Sequence, residues 1–560
     1  MTASQYQVRS GTYCDSVVLM QLQRDLAALP GVQGSGVVMA TPTNLALLAQ
    51  SDLLPSGVQA RPDDLLIVVR AESDGEASAA LSKVDELLSR RRSVSAGEYR
   101  PRSLEAALKQ LPEAGWVLVS VPGKYAAGVA RQALEHDRHV FLYSDNVSLE
   151  DEIALKALAA SRGKLLMGPD CGTAIVNGVG LGFANRVRRG GVGLVGASGT
   201  GLQAVSVHLH QLGAGLSHAL GTGGRDLSAE AGGATTMQCL DLLGRDPVTR
   251  VIGLISKPPD SRTAARLFAA AQEIDKPVVV HLLGFPPPAR DLGNLHFAAS
   301  LREAAGLAVA MLADEAISRP GAPHSEAGHI QGYLRGLFSG GTLAAEVLLG
   351  LRATLAPLNA NLSIPGVERL VDPTQSRAHT IIDLGADEFT IGRLHPMIDN
   401  ETRLARIRQE AADPAVGALL LDVVLGEGAH PDPAAELAPA ISRARAAREL
   451  PVVVILIGTD EDPQVAAWQA DRLAEAGATI FRDADGAVAY LSARMRARPE
   501  WPQPPVALQD LAVPLAAVNV GLESFYHSLV EQGAPAVQMD WRPPAGGDEK
   551  MLAILARLKG

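Results

Sequence analysis

The segment Gly190–Gly201 ends an apolar run in Gly-Ala-Ser-Gly-Thr-Gly and passes into the helical pattern Leu202–Leu209. Small residues ahead of a helix leave its first N–H groups open, and those groups together with the helix dipole attract an anion. No lysine follows in the Gly-Lys-Ser/Thr position, so this is not a nucleoside-triphosphate loop. Tight strand–helix packing is the plainer use of such a turn. A second copy favours function: Phe338-Ser339-Gly340-Gly341-Thr342 again sets small residues before a helical stretch. The pair predicts one phosphate held between two helix starts. Ser198, Gly199 and Thr200 bind from one side, and Gly340, Gly341 and Thr342 from the other.

Three further side chains have the right chemistry nearby in sequence. Arg225 follows the glycine turn Gly221-Thr222-Gly223-Gly224, where its fork can pair with a carboxylate or carbonyl oxygen, or form a surface ion pair. Arg393 and His395 lie in a loop after the strand end Asp383-Leu384-Gly385. His395 there is read as a general base toward an amide or amine, ahead of a loop stop at His395-Pro396, and Arg393 as a partner for an acceptor's carboxylate. Asp399 is read as the cap of a helix Glu401–Ala411. Cys171 is read as a small buried filler, since no histidine lies near it in sequence. His208 and His210 are read as ordinary helix residues, and Tyr13, Asp15 and Asn44 as turn and cap residues.

The elements that must carry these residues follow from composition and pattern. At 560 residues the chain is several domains. Its 47% apolar and 4% aromatic content suits parallel α/β layers, whose strands are buried on both faces. No apolar run is long enough for a bilayer and no signal peptide opens the chain, so a cytoplasmic protein without membrane contact is expected. The net charge of −11 and the lack of a basic cluster argue against nucleic acid. Three scattered cysteines fit reduced thiols better than a disulfide or zinc framework, and no metal site is expected. The pattern divides into a small α/β unit at 1–100, a second at 101–188, larger α/β units at 189–320 and 321–498, and an extension at 499–560. In the first, strand–helix alternation suggests a ferredoxin-like or ACT-like sandwich, with a long polar helix reaching Arg92. The Pro-rich stretch Trp501–Pro505 is read as a linker, and the last sixty residues as a surface for packing on this chain or a partner.

The order of motifs then carries a resemblance. Val121-Pro122-Gly123-Lys124-Tyr125, Gly168-Pro169-Asp170-Cys171-Gly172, Gly191–Thr200 and Gly221–Asp226 resemble the α subunit of succinyl-CoA synthetase, a CoA-binding Rossmann-like domain followed by a ligase domain. Ser339–Ala344, Ile381–Ala386, Pro451–Ile457 and Ala474–Ala478 are similar to the ligase domain of its β subunit. The fused arrangement, with Leu394–Asp399 and the end piece Val518–Glu523 and Asp540–Gly547, resembles the FdrA family. The resemblance implies several Rossmann-like or flavodoxin-like parallel-sheet domains after the small N-terminal one. It implies a CoA-like site at Val121, Pro122, Gly123 and Lys124, and companion protein subunits in an oligomer.

Two departures shape the function expected. The synthetases carry phosphate on a histidine in a Gly-His-Ala-Gly-Ala loop. The corresponding His296 lies in Asn294-Leu295-His296-Phe297, without flanking glycines, so a hydrogen-bonded histidine is preferred to a phosphohistidine. No stretch here has the length or character of the ATP-grasp domain that opens the synthetase β subunit. An already activated substrate therefore suits the chain. The FdrA resemblance implies a subunit of oxamate carbamoyltransferase in purine (allantoin) catabolism, converting carbamoyl phosphate and oxamate to oxalurate and phosphate with no cofactor required. The alternatives are an acyl-CoA synthetase that uses CoA, a separate ATP-grasp subunit and His296, and a non-catalytic scaffold.

Overall fold

The computed structural model describes residues 3–87 apart from 11–15, 28, 41–43, 46–47, 50–52, 56 and 62–63. It further describes 101–313 apart from 102 and 288, 329–495 apart from 391–392, and 514–540 apart from 521. Tyr13, Asp15, Trp501–Pro505, Trp541–Gly547 and the far end of the expected polar helix lie outside the described residues. The chain forms two compact units, Met1–Arg496 and Ala497–Gly560.

In the first unit, strands Ala3–Arg9, Leu65–Ala71 and Val32–Met39 make an antiparallel sheet in that order, with helices Ser16–Ala27 and Asp74–Ser82. This βαββα order matches three strands of a ferredoxin-like sandwich. Asn44 donates to the Met39 carbonyl at 2.8 Å, a turn duty.

Next comes a short parallel sheet of Trp116–Val119, His139–Leu142 and Leu166–Met167, covered by helices Gly123–Glu135 and Leu149–Ser161. The hairpin Thr173–Val176/Val179–Gly182 falls inside the expected second unit but joins the following sheet, where it pairs antiparallel beside Leu216–Gly221. It thereby covers an edge strand that would otherwise present unpaired backbone groups.

Two large sheets hold the centre. The first has eight strands and the parallel core Leu295–Phe297, Val278–Leu282, Val251–Ser256, Arg189–Gly196, Leu216–Gly221. The second has seven, all parallel, ordered Glu368–Arg369, Leu358–Ala360, His379–Asp383, Tyr333–Phe338, Val416–Val424, Val452–Ile457, Ala478–Phe481. Strands such as Val251–Ser256 and Val452–Ile457 are buried along their whole length, which is why they read as unbroken apolar runs. In the parallel core of the first sheet, and in the whole of the second, the chain starts near the middle and later strands add on either side. Arg189–Gly196 and Tyr333–Phe338 are those starting strands, and ligands of open α/β sheets bind where the strand order reverses.

The two sheets are joined by helices. Gly199–Gln211 is buried at every residue from Thr200 to His210. It packs with Gly341–Leu351 and Leu301–Leu312 in one apolar core containing Leu202, Val205, Leu209, Leu343, Val347 and Leu307. The helix is buried all round although it carries Gln203, Ser206, His208 and His210, and both histidines are helix residues within this seam. Around it, Asn185 donates to the Leu425 carbonyl and to Asp462, and Arg302 pairs with Asp483.

Glu346 adds a pH-sensitive point to the seam. Its Oε1 accepts the Leu301 N–H at 2.8 Å, and lost solvation with nearby Asp485 pushes its carboxyl up to about 8. The folded chain therefore keeps a proton that the unfolded chain sheds at ordinary carboxyl pH, so this group weakens the fold as pH rises toward about 8. Glu346→Gln keeps the acceptor and removes the penalty. Its melting temperature should exceed the parent's by a few degrees at about pH 8.5, with the gap closing near pH 5. A gap independent of pH would remove Glu346 from this role.

The second unit is described by residues 514–540: parallel strands Ala517–Val520 and Ala536–Met539 joined through helix Glu523–Glu531.

Candidate functional site

The two glycine turns meet. Ser198 caps helix Gly199–Gln211, its Oγ accepting the Gly201 N–H at 3.2 Å, and the same Oγ lies 2.8 Å from Thr342 Oγ1. A Cβ on Gly340 would lie 2.7 Å from Thr200 Cγ2, so only glycine permits this approach. The N–H groups of Gly199, Thr200, Gly341 and Thr342 bond to no described residue. Two positive helix ends therefore sit side by side, with Gly199 and Gly341 half-buried at the open rim. The structure thus gathers Ser198, Gly199, Thr200, Gly340, Gly341 and Thr342 into one place.

A buried ion pair sets the second turn. Asp422 accepts the Ser339 N–H at 2.7 Å, the Ser339 hydroxyl at 3.0 Å and the Gly340 N–H at 2.8 Å. Arg403 stands behind it, donating to the Asp422 carbonyl at 2.6 Å with Nη2 3.4 Å from Oδ1. Asp422 is fully buried and Arg403 nearly so. Sequence reading missed both, although an acid inside the apolar strand Val416–Val424 requires a partner.

Asp383 was also missed as a site residue. It ends strand His379–Asp383, next to the strand that leads into the second turn. Oδ1 accepts the Gly385 N–H at 2.9 Å, and a methyl group on Gly341 would collide with Oδ2. Burial pushes this carboxyl up to about 7, with Lys257 opposing and Asp422 and Glu388 adding to the rise.

His395 reaches the same corner, with a different role from the general base expected. Its Nδ1 accepts the Met397 N–H at 3.2 Å, so the ring proton belongs on Nε2. Loss of solvation and nearby Arg403 pull its pKa to about 4, which makes it a weak base and a neutral hydrogen-bond donor near pH 7. A Cβ on Gly385 would lie 2.9 Å from Nε2, and Phe183 packs on the ring with centroids 5.3 Å apart. Arg393 is half-buried and donates to Thr402 Oγ1 at 2.8 Å, which ties it to the start of helix Glu401–Ala412. Asp399 accepts the Glu401 N–H at 2.6 Å, the capping duty expected.

Arg225 is engaged elsewhere. Its Nε donates to Glu152 at 2.9 Å and its Nη2 to the Val147 carbonyl at 2.7 Å. Glu152 also pairs with buried Lys156 at 3.1 Å, and Lys156 with Asp226 at 2.5 Å. This network holds the loop Thr222–Asp226, so Arg225 is a brace for that loop and two of its donors are spent. His296 lies in strand Leu295–Phe297, which is paired on both sides, with Nδ1 2.9 Å from Asp291 Oδ1 of the edge strand, a fixed histidine. Cys171 is buried, and burial pushes its thiol up to about 12, consistent with a filler.

Of the CoA-like turn, Gly123 begins a helix after Pro122, and a Cβ there would strike the Asn146 carbonyl at 2.6 Å. That face is closed by carbonyl oxygens, which repel phosphate. The open side offers Lys124, 4.8 Å over the ring of exposed Tyr125, and exposed Val121.

A family model described as CoA-ligase matches residues 337–493, and one described as AllF, heavy metal-associated domain, matches residues 1–103. Residues 1–103 contain one cysteine, Cys14, and no histidine, so they hold no cysteine pair or cysteine–histidine pair for a soft metal. Among the described residues no group of three or more His, Cys, Asp or Glu side chains gathers as a metal site. YahF of Escherichia coli, described as uncharacterized, is 40% identical over 488 residues, covering 84% of this chain and 95% of YahF. The α subunit of an ADP-forming succinate–CoA ligase of Aquifex aeolicus is 28% identical over 212 residues, covering 37% of this chain and 67% of that subunit. A dinucleotide-forming acetyl-coenzyme A synthetase of Ca. Korarchaeum cryptofilum, solved with phosphate and ADP, aligns over 68% of this chain and 81% of that one, at 17% identity and a TM-score of 0.30.

Proposed function

The chain belongs to the same family as YahF of Escherichia coli and has a CoA-ligase-like fold, and on that premise we propose that it is a subunit of a carbamoyl-phosphate-dependent carbamoyltransferase. The observation that supports this is the junction at Ser198 and Thr342, where two helix starts present free N–H groups at one rim. A phosphate seated there gains charge as its bond to the carbamoyl carbon breaks, and fixed N–H dipoles stabilise that charge without reorganising. The rest of the chain's part is positioning. Neutral His395 donates from Nε2 toward the acyl oxygen, and companion subunits complete the acceptor site. Oxamate is the acceptor that the FdrA resemblance implies, with oxalurate as product.

The CoA-ligase family match keeps one other reading in view, an acyl-CoA synthetase working with an ATP-grasp subunit. The two differ at His296. The purified chain, alone and with its companion subunits, is given carbamoyl phosphate and oxamate, and phosphate release is measured without ATP or CoA. Acceptor-dependent release, unchanged within about twofold in His296→Asn, is expected. Silence there, with turnover only on ATP, CoA and a carboxylic acid and loss of it in His296→Asn, would replace the transferase with the ligase.

A further inference from the structure

We propose that Asp383 carries the proton from the acceptor's amide nitrogen to the departing phosphate. The inference rests on the carbamoyl transfer proposed above and assigns the proton path within it.

The geometry comes first. Asp383 is 7% exposed and sits at the carboxyl end of a central strand. Its Oδ1 is held by the Gly385 N–H at 2.9 Å. Oδ2 lies against the α-carbon of Gly341, the first residue of the second helix, and accepts no hydrogen bond from a described residue. A nearly buried carboxylate thus aims one unpartnered oxygen at the rim where the helix N–H groups are open.

The reaction requires one proton transfer. The amide nitrogen forms a bond to the carbamoyl carbon, and the bond from that carbon to the bridging phosphate oxygen breaks. The nitrogen must shed one proton, and the leaving phosphate must gain one to depart as the hydrogen phosphate dianion. A single carboxylate beside both atoms can take the first proton and deliver it to the second, so no other acid or base is needed. His395 cannot do so, because its Nδ1 is committed to Met397 and its Nε2 already bears the proton.

The charged surroundings suit such a group. Lys257 favours the carboxylate, while Asp422, Glu388 and burial favour the acid. His395 is neutral, and Arg403 is spent on Asp422. The balance leaves Asp383 titrating at about 7, where it both accepts and releases a proton readily.

The test uses the full chain with its companion subunits, carbamoyl phosphate and oxamate. Absence of acceptor-dependent release in the parent complex would sink the transfer reading itself. Given an active parent, Asp383→Asn should lower kcat by roughly 10²–10⁴-fold and abolish the fall in rate below about pH 7. Asp383→Glu should recover part of the rate, and inorganic phosphate should still bind Asp383→Asn in equilibrium dialysis. Near-parental turnover of Asp383→Asn with an unchanged pH profile would overturn the proposal. Loss of phosphate binding together with turnover would overturn it too, making the carboxylate structural.

Discussion

Ser198→Asp is expected to abolish phosphate binding while the chain stays folded. Aspartate is as good a helix cap as serine, so the Gly201 N–H keeps its acceptor. The new charge, however, stands where Ser198 Oγ now lies, 2.8 Å from Thr342 Oγ1 and beside both helix starts. It supplies those starts with an internal anion and repels an arriving one. Two unit charges about 4 Å apart at an effective dielectric of about 20 repel by about 4 kcal/mol, or two to three orders of magnitude in affinity. Equilibrium dialysis against phosphate gives the affinity, and a melting temperature within a few degrees of the parent's shows the fold intact. Ser198→Ala removes only the hydroxyl bridge and the cap, and should cost about tenfold or less. Equal phosphate affinity in Ser198→Asp and the parent would end the two-helix site.

The turns were legible because small residues before a helical pattern occur twice in one chain, and two copies ask to be paired. Their meeting at Ser198 and Thr342 is a tertiary fact that periodicity cannot contain. The strands read well for a physical reason: parallel strands buried on both faces are continuous apolar runs with turns at their ends. The hairpin Thr173–Gly182 was misassigned to the unit before it because antiparallel pairing to a distant strand leaves no local mark. Side-chain roles were the least legible. Arg225 looked available beside its glycines, but Glu152 and Val147, more than seventy residues earlier, take its donors. His395 looked like a base until Met397 was seen to hold Nδ1. Asp383 and Asp422 carry a readable signal, an acid ending or interrupting an apolar strand.

The pair behind the second turn should prove as important as the turn. Arg403→Met is expected to destabilise the first unit by about 3 kcal/mol, the low end of the 3–5 kcal/mol range for breaking a buried ion pair. The low end applies because Asp422 keeps three donors, from Ser339 N–H and hydroxyl and from Gly340 N–H. Asp422→Asn should cost a similar amount for a different reason. Ser339 bonds to one carboxylate oxygen and Gly340 to the other, so an amide keeps an acceptor for only one of them and turns an N–H toward the other's backbone N–H. The double variant should lose less than the sum, by at least about 1 kcal/mol, because each single change already spends the same contact. Denaturant titration of the four chains gives the cycle, and additivity within about 0.5 kcal/mol would show that the two side chains act independently. Phosphate affinity supplies the functional half of the argument. Neither residue lies at the rim, yet both hold the Ser339–Gly340 turn, so affinity should fall in each single variant in step with the stability lost.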